Sequence, residues 1–133
     1  MNMIGFQNRY APRLLSLLRI VAALIIIEHG SQKLFGFPPN LVNFPHSTLS
    51  DIAGVIEVVL GIPLILGIYA RQISFILAGE MAVAYFLRHA PRGLFPVNNG
   101  GDLAVILCFV FLFLSLAGPG SWKLPFGESA PTL

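Results

Sequence analysis

The stretch LLSLLRIVAALIIIEHGSQKLFGF, residues 14–37, decides how the rest of the chain is interpreted. It is apolar over the length that a helix needs to cross a lipid bilayer, about 20 residues. Its second half nevertheless carries three ionisable side chains, Glu28, His29 and Lys33. Ionisable groups are costly inside a membrane, so they usually mark a site. The stretch therefore predicts a membrane-spanning helix that contributes to a polar site.

The composition of the whole chain also fits a membrane protein. The 133 residues are 56% hydrophobic, and only 11% are charged, against about 25% in soluble proteins. The net charge of +2 is dispersed without a basic run, which argues against nucleic acid as a partner. The one cysteine, Cys108, gives no disulfide, no redox pair and no cysteine-based metal site. We expect the lipid bilayer as the main partner, and no metal.

Four apolar segments have the length of spanning helices. They cover about residues 14–36, 52–69, 72–88 and 102–118. Proline, asparagine and glycine residues separate most of them, whereas only Ala70 and Arg71 separate the second from the third. So short a link makes those two helices antiparallel neighbours. The predicted fold class is all-α, a polytopic membrane four-helix bundle that forms a single domain over residues 1–133.

The basic residues indicate the orientation of this bundle. The side that holds both termini has four of them near the helix ends, and the other side has three. Arg9 and Arg13 precede the first span, which usually dominates the orientation. We therefore expect both termini in the cytoplasm.

Three glutamates, Glu28, Glu57 and Glu80, fall on three different spans. At ~1.5 Å rise per residue they lie about 8 to 12 Å inward from the outer ends of those spans. Three carboxylates at similar depth avoid lipid by facing one another. We expect a polar pocket in the outer half of the bilayer, where they can pair with nearby cations. The other polar residues expected around it are His29, Lys33, Arg88, Asn98, Asn99 and Asp102.

Glycines on the same faces would let a helix or a flat ligand approach the carboxylates closely. They are Gly30, Gly36, Gly54, Gly61, Gly100 and Gly101. Arg19 lies about 180° around the first helix from Glu28, so we expect it to extend towards the interface or to pair outside the pocket.

Simpler interpretations stay open for these residues. The buried charges can be ion pairs that only fix the helix register. Haem ligation by His29 and His89 is disfavoured because the two histidines lie at unequal depths. Similar spacings from Glu28 to Asp51 and from Glu80 to Asp102 fit two parallel helical hairpins, although chance can produce such spacings in a short apolar chain.

Several motifs resemble the DoxX family of bacterial membrane proteins. They are EHGSQKLFG at residues 28–36, Glu57 in a span that ends LILGIYAR, Glu80, and PVNNGGD at residues 96–102. The resemblance covers about residues 14–122 and implies a four-helix protein of the bacterial inner membrane. It also implies an association with thiol, sulfur and quinone redox chemistry, as in the small subunit of thiosulfate:quinone oxidoreductase. By position, the family's motif residues are His29, Gly30, Lys33, Gly36, Glu57, Glu80, Asn99, Gly100 and Asp102.

Two hypotheses about function follow. In the first, the chain is a membrane redox subunit that binds a quinone or quinol through Lys33 or His29, with a glutamate relaying protons. It then needs a redox partner protein. In the second, it is a non-catalytic binder, transporter or assembly partner with structural buried charges, and transport by so short a chain would require a homo-oligomer. The catalytic residues, the cofactor and the ligand are left open.

Overall fold

The computed structural model describes residues 3–39 and 47–127. Over this part of the chain the structure is all-helical, without strands, as the apolar segments of spanning length predict. The helices are α1 (Met3–Phe35), α2 (Thr48–Leu66), α3 (Ala70–Ala84), α4 (Pro96–Asn99) and α5 (Asp102–Ala117). After α3 the chain continues through a π-helical turn, Tyr85–His89, and a 3-10 turn, Ala90–Arg92.

Among the described residues, three helical segments are long and apolar enough to cross a membrane. They are α1, α2 and the continuous segment Ala70–Arg92. The fourth apolar helix, α5, has 16 residues, or about 24 Å of length. It is shorter than the other three, so the complete four-span bundle stays a prediction.

The first helix is longer than the predicted span. It begins at Met3 and includes Pro12, so the residues before position 14 continue the spanning helix. It ends at Phe35, and the next residue, Gly36, has a φ of +66°, which is unfavourable for residues with a side chain. The Gly36 amide donates to the carbonyl of Gln32 at 3.1 Å, which closes the last turn of α1.

The helices pair as two hairpins. Helix α1 packs mainly against α2, and α3 packs mainly against α5, whereas α2 and α3 touch only slightly. The prediction that the short link makes α2 and α3 close neighbours is therefore only weakly met. The reason lies in α2, whose glycine face is already covered by α1: a Cβ on Gly54 would lie 3.0 Å from Leu34 and 3.1 Å from Lys33.

A buried arginine joins the first hairpin to the segment after α5. Arg19 is 0% exposed, and its Nε donates to the carbonyl of Pro119 at 2.8 Å. Its other nitrogens donate to the carbonyls of Leu64 and Ile65, in the last turn of α2, and of Trp122. The last carbonyls of a helix have no partner within the helix, and a cation beside them also interacts favourably with the negative end of the helix dipole. Arg19 therefore caps α2.

A second arginine does the same for the second hairpin. Arg71, at the start of α3, donates to the carbonyls at the end of α5, including that of Leu116. The spacing from Arg19 to Arg71 equals the spacing from Glu28 to Glu80. The two hairpins thus share one plan, in which the first helix caps the second. We call the side of the bundle that holds both caps the arginine end, and the opposite side, with α4, the loop end.

Candidate functional site

One buried ion pair links α1 to α2. The Nζ of Lys33 lies 2.6 Å from Oε1 of Glu57. The Glu57 side chain is 1% exposed and that of Lys33 is 28% exposed. Side chains on a helix lean towards its N-terminus, so Lys33 points from α1 back towards Glu57.

The ion pair lies deeper than the sequence predicts. Because α2 begins at Thr48 rather than near Ile52, Glu57 is equally far from both ends of the helix. At ~1.5 Å per residue, that is about 13 Å from each end. Glu57 therefore lies near the middle of a helix of spanning length, and the expected depth of about 8 Å is wrong.

A second glutamate lies beside this pair without a hydrogen-bond partner. Both carboxyl oxygens of Glu80 are buried, and neither has a partner in the part of the chain that the structure describes. Oε2 of Glu57 is in the same state. The charged groups that act on Glu80 are Glu57 and Lys33. We call Lys33, Glu57 and Glu80 the carboxyl cluster.

The third glutamate does not join this cluster. Glu28 is exposed and His29 beside it is half-buried, so the expectation that all three carboxylates face one another is wrong for Glu28. The face of α1 that packs on α2 carries Gly30 and Lys33, whose neighbours are Gly54 and Glu57. Glu28 points away from that face.

The polar residues of the loop end form a separate hydrogen-bonded unit. Asn99 is 3% exposed; its Nδ2 donates to the carbonyl of Gly93, and its Oδ1 accepts from the amide of Gly101, both at 2.8 Å. The Asn99 carbonyl lies 3.2 Å from Nδ1 of His89, and Tyr85 contacts the Asn99 amide through its hydroxyl. These contacts hold the loop between α3 and α5 and do not reach the carboxyl cluster.

The remaining predicted site residues lie at the loop end without entering this unit. Asn98 and Asp102 are exposed, and Arg88 is half-buried in the π-helical turn. Within the described residues, the ion pair at the cluster uses Lys33 and not Arg88. Asp102 lies in the first turn of α5, whose N-cap is Gly101 and has no side-chain hydrogen bond.

The predicted glycines divide into two groups. At Gly30 an added Cβ would lie 2.7 Å from the Gly54 carbonyl oxygen, and at Gly61 it would contact Ile27. At Gly101 an added Cβ would lie 2.7 Å from the ring of Tyr85. Gly36 and Gly100 have open space and positive φ angles, so they end helices. The close approach on α2 is therefore filled by α1.

A groove at the arginine end is distinct from the cluster. Its volume is about 760 Å³, and it lies between the first half of α1 and the segment after α5. Leu14, Leu18 and Phe113 supply apolar walls, and Arg71 and Lys123 supply charge. Among the described residues that line it there is neither Glu57 nor Glu80, so the groove and the carboxyl cluster are separate.

Sequence reasoning did not predict that Arg19 lies at the centre of the packing. Its partners are backbone carbonyls, which leave no motif. One signal was available: a charged residue in a spanning helix that shares a face with Lys33 has a buried partner more often than a lipid neighbour.

Comparison with known proteins identifies the family. The sequence pattern of the DoxX family matches residues 14–90. The chain belongs to the DoxX family. The matched range includes the whole carboxyl cluster, whereas Asn98, Asn99 and Asp102 lie beyond it.

Two relatives of this DoxX protein extend over most of its length. An uncharacterized protein of Haemophilus influenzae is 42% identical over 124 residues, which cover 88% of this chain and 92% of the relative. An uncharacterized membrane protein of Mycobacterium tuberculosis is 29% identical over 127 residues, which cover 80% of this chain and 76% of the relative. No solved structure matches the chain. The DoxX protein is a membrane protein with apolar helices.

Proposed function

We propose that this DoxX protein is a subunit of a membrane redox system and binds the headgroup of a quinol at the carboxyl cluster. The observation that carries the proposal is the set of three buried carboxyl oxygens without donors, Oε2 of Glu57 and both oxygens of Glu80. Buried acceptors without a donor are costly. A ligand that brings donors to them is therefore favoured.

The cluster fits the reduced form of the ligand better than the oxidised form. A quinol has two hydroxyl groups, which donate, whereas a quinone has two carbonyls, which only accept. The nearby donor, Lys33, already donates to Oε1 of Glu57 at 2.6 Å. The acceptors left over, on Glu57 and Glu80, match hydroxyl donors.

Each residue of the cluster then has a distinct part. Lys33 orients Glu57 through one carboxylate oxygen and leaves the other for the ligand. Glu80 accepts a proton from the ligand hydroxyl, as a general base within hydrogen-bond reach does. A bound quinol supplies two protons and two electrons. Because the chain has one cysteine and no dithiol, we assign the electrons to a partner protein with a redox centre.

The proposed location is the bacterial inner membrane, with four spans and both termini in the cytoplasm. Arg9, Arg13 and Lys123 flank the helices on the same side as Arg19 and Arg71. Cytoplasmic loops are enriched in lysine and arginine. The arginine end therefore faces the cytoplasm in this proposal.

The test measures quinol binding and protein stability together. The protein is purified in mild detergent, co-purifying quinones are identified by mass spectrometry, and thermal unfolding is followed with added ubiquinol or menaquinol. A ligand at 100 times its Kd stabilises the folded state by about 2.7 kcal/mol. We expect that stabilisation in the wild type and in the matched control Glu28→Gln, and its loss in Glu57→Gln and Glu80→Gln. Equal stabilisation of all four proteins, or of none, would contradict the proposal.

The second candidate function is a non-catalytic membrane component whose charges hold the bundle together. It is favoured by the position of the Lys33–Glu57 pair, next to the tight contact of Gly30 with Gly54. In that case the double variant Lys33→Met, Glu57→Leu regains the stability that either single variant loses, because the apolar pair replaces a buried ion pair. If the purified double variant still binds quinol, the carboxyl cluster is not the binding site.

A further inference from the structure

The face of α1 opposite α2 carries an exposed stripe of five apolar side chains and one carboxyl group. Its members recur at intervals of three, four or seven positions, the spacing of one face of a packed helix. They are Leu14, Leu17, Val21, Leu24, Glu28 and Phe35, and all six are exposed. We call this surface the Glu28 stripe.

Glu28 lies at the middle depth of the membrane-spanning helices. Its neighbour Ile27 packs against Gly61, and Gly30 packs against Gly54. Those two glycines flank Glu57, the midpoint of α2. Glu28 is therefore an exposed carboxyl group about half-way across the bilayer, where an ionisable side chain facing lipid is costly. Within the described residues no hydrogen bond or ion pair satisfies it.

We propose that two copies of this chain associate through their Glu28 stripes, with the two Glu28 carboxyl groups hydrogen-bonded across a two-fold axis. Copies of one protein share the same orientation in the membrane, so a two-fold axis along the membrane normal places Glu28 opposite Glu28 at equal depth. A carboxylic acid both donates and accepts. The group therefore complements itself, and polar side chains of this kind promote association of helices in membranes.

The rest of the stripe supports the same geometry. Leu17, Val21 and Leu24 lie one to three turns before Glu28 on the same face. Side chains at this spacing interlock with their equivalents on a parallel helix. An unrelated partner helix would need a polar group at the matching depth, which a second copy supplies by symmetry.

This association does not rest on the quinol proposal. The carboxyl cluster lies on the opposite side of α1, where Lys33 contacts Glu57. The dimer therefore leaves the cluster unchanged, and either proposal can fail without the other.

Cysteine cross-linking in native membranes tests the surface. In a Cys108→Ser background, we expect the variants Val21→Cys and Leu24→Cys to form disulfide-linked dimers under mild oxidation. The control is Val59→Cys, which is exposed on α2 but lies outside the stripe. Cross-linking at Val59 in preference to Val21 and Leu24, or at none of the three, would overturn the proposal.

Substitution of the carboxyl group tests its part in the contact. Energy transfer between labelled copies in lipid vesicles measures the dimer dissociation constant. Glu28→Gln retains a side chain that donates and accepts, so we expect wild-type dimerisation. Glu28→Leu fills the same space without hydrogen bonds, and we expect dimerisation to weaken about five-fold or more. Dimerisation of Glu28→Leu as strong as that of the wild type would refute the carboxyl contact.

Discussion

Replacing Arg19 with alanine is expected to destabilise the DoxX protein more than any other single change in α1. The guanidinium is fully buried and donates to four backbone carbonyls, two at the end of α2 and two after α5. Hydrogen bonds from a charged group contribute about 1.5–3 kcal/mol each. Carbonyls at the arginine end can recover part of this from water when the side chain is removed. We therefore expect a net loss of about 3–5 kcal/mol, the range for breaking a buried charged network.

A thiol-reactive fluorophore provides the assay. Cys108 is half-buried on α5 and is the one cysteine in the sequence, so its reaction with the dye on heating reports unfolding. At about 3–5 °C per kcal/mol for a chain of this size, Arg19→Ala is expected to unfold about 9–25 °C below the wild type. Arg19→Lys should be intermediate, because an ammonium group has three donors on one atom and lacks the planar fork.

The matched control is Arg92→Ala, since Arg92 is exposed in the loop after α3. Surface substitutions of this kind change stability by about 0.5 kcal/mol or less. If Arg19→Ala unfolds within 3 °C of Arg92→Ala, the four carbonyl contacts do not stabilise the fold as reasoned here.

Two further predictions concern close packing and the loop end. Gly30→Ala places a Cβ 2.7 Å from the Gly54 carbonyl oxygen, so we expect thermal unfolding to show a loss of stability of about 1–3 kcal/mol. The control is Gly79→Ala, whose Cβ has nothing within 4 Å and should leave stability unchanged or raise it by up to about 1 kcal/mol. Equal effects of the two substitutions would contradict the close contact. Asn99→Ala removes the hydrogen bonds of a buried side-chain amide, so we expect a loss of stability of about 1–3 kcal/mol and faster backbone hydrogen exchange in the loop between α3 and α5. The control is Asn98→Ala, a substitution at the exposed neighbouring residue. Unchanged exchange in Asn99→Ala would show that this side chain does not hold the loop.

The membrane character and the helices could be predicted because they depend on composition and on runs of apolar residues. That Lys33, Glu57 and Glu80 belong to a polar site could be predicted, because ionisable groups within apolar runs are rare. Which of them meet could not, because it depends on how each helix is rotated about its axis. The sequence correctly predicts that Arg19 and Glu28 lie on opposite faces of α1, but it places Glu28 in the pocket together with Lys33. The buried face is the one with Arg19 and Lys33.

The contacts of Arg19 also set an order for biosynthesis. Ribosomes deliver the chain from its N-terminus, so α1 enters the bilayer long before Pro119 and Trp122 have been translated. Until then two of the four carbonyls that Arg19 requires do not exist, and the guanidinium must stay solvated at the membrane surface or be shielded by the insertion machinery. Its burial is thus postponed until α5 and the segment after it have been made. The first helix of this protein reaches its final environment only after a segment about 100 residues further along the chain has been made.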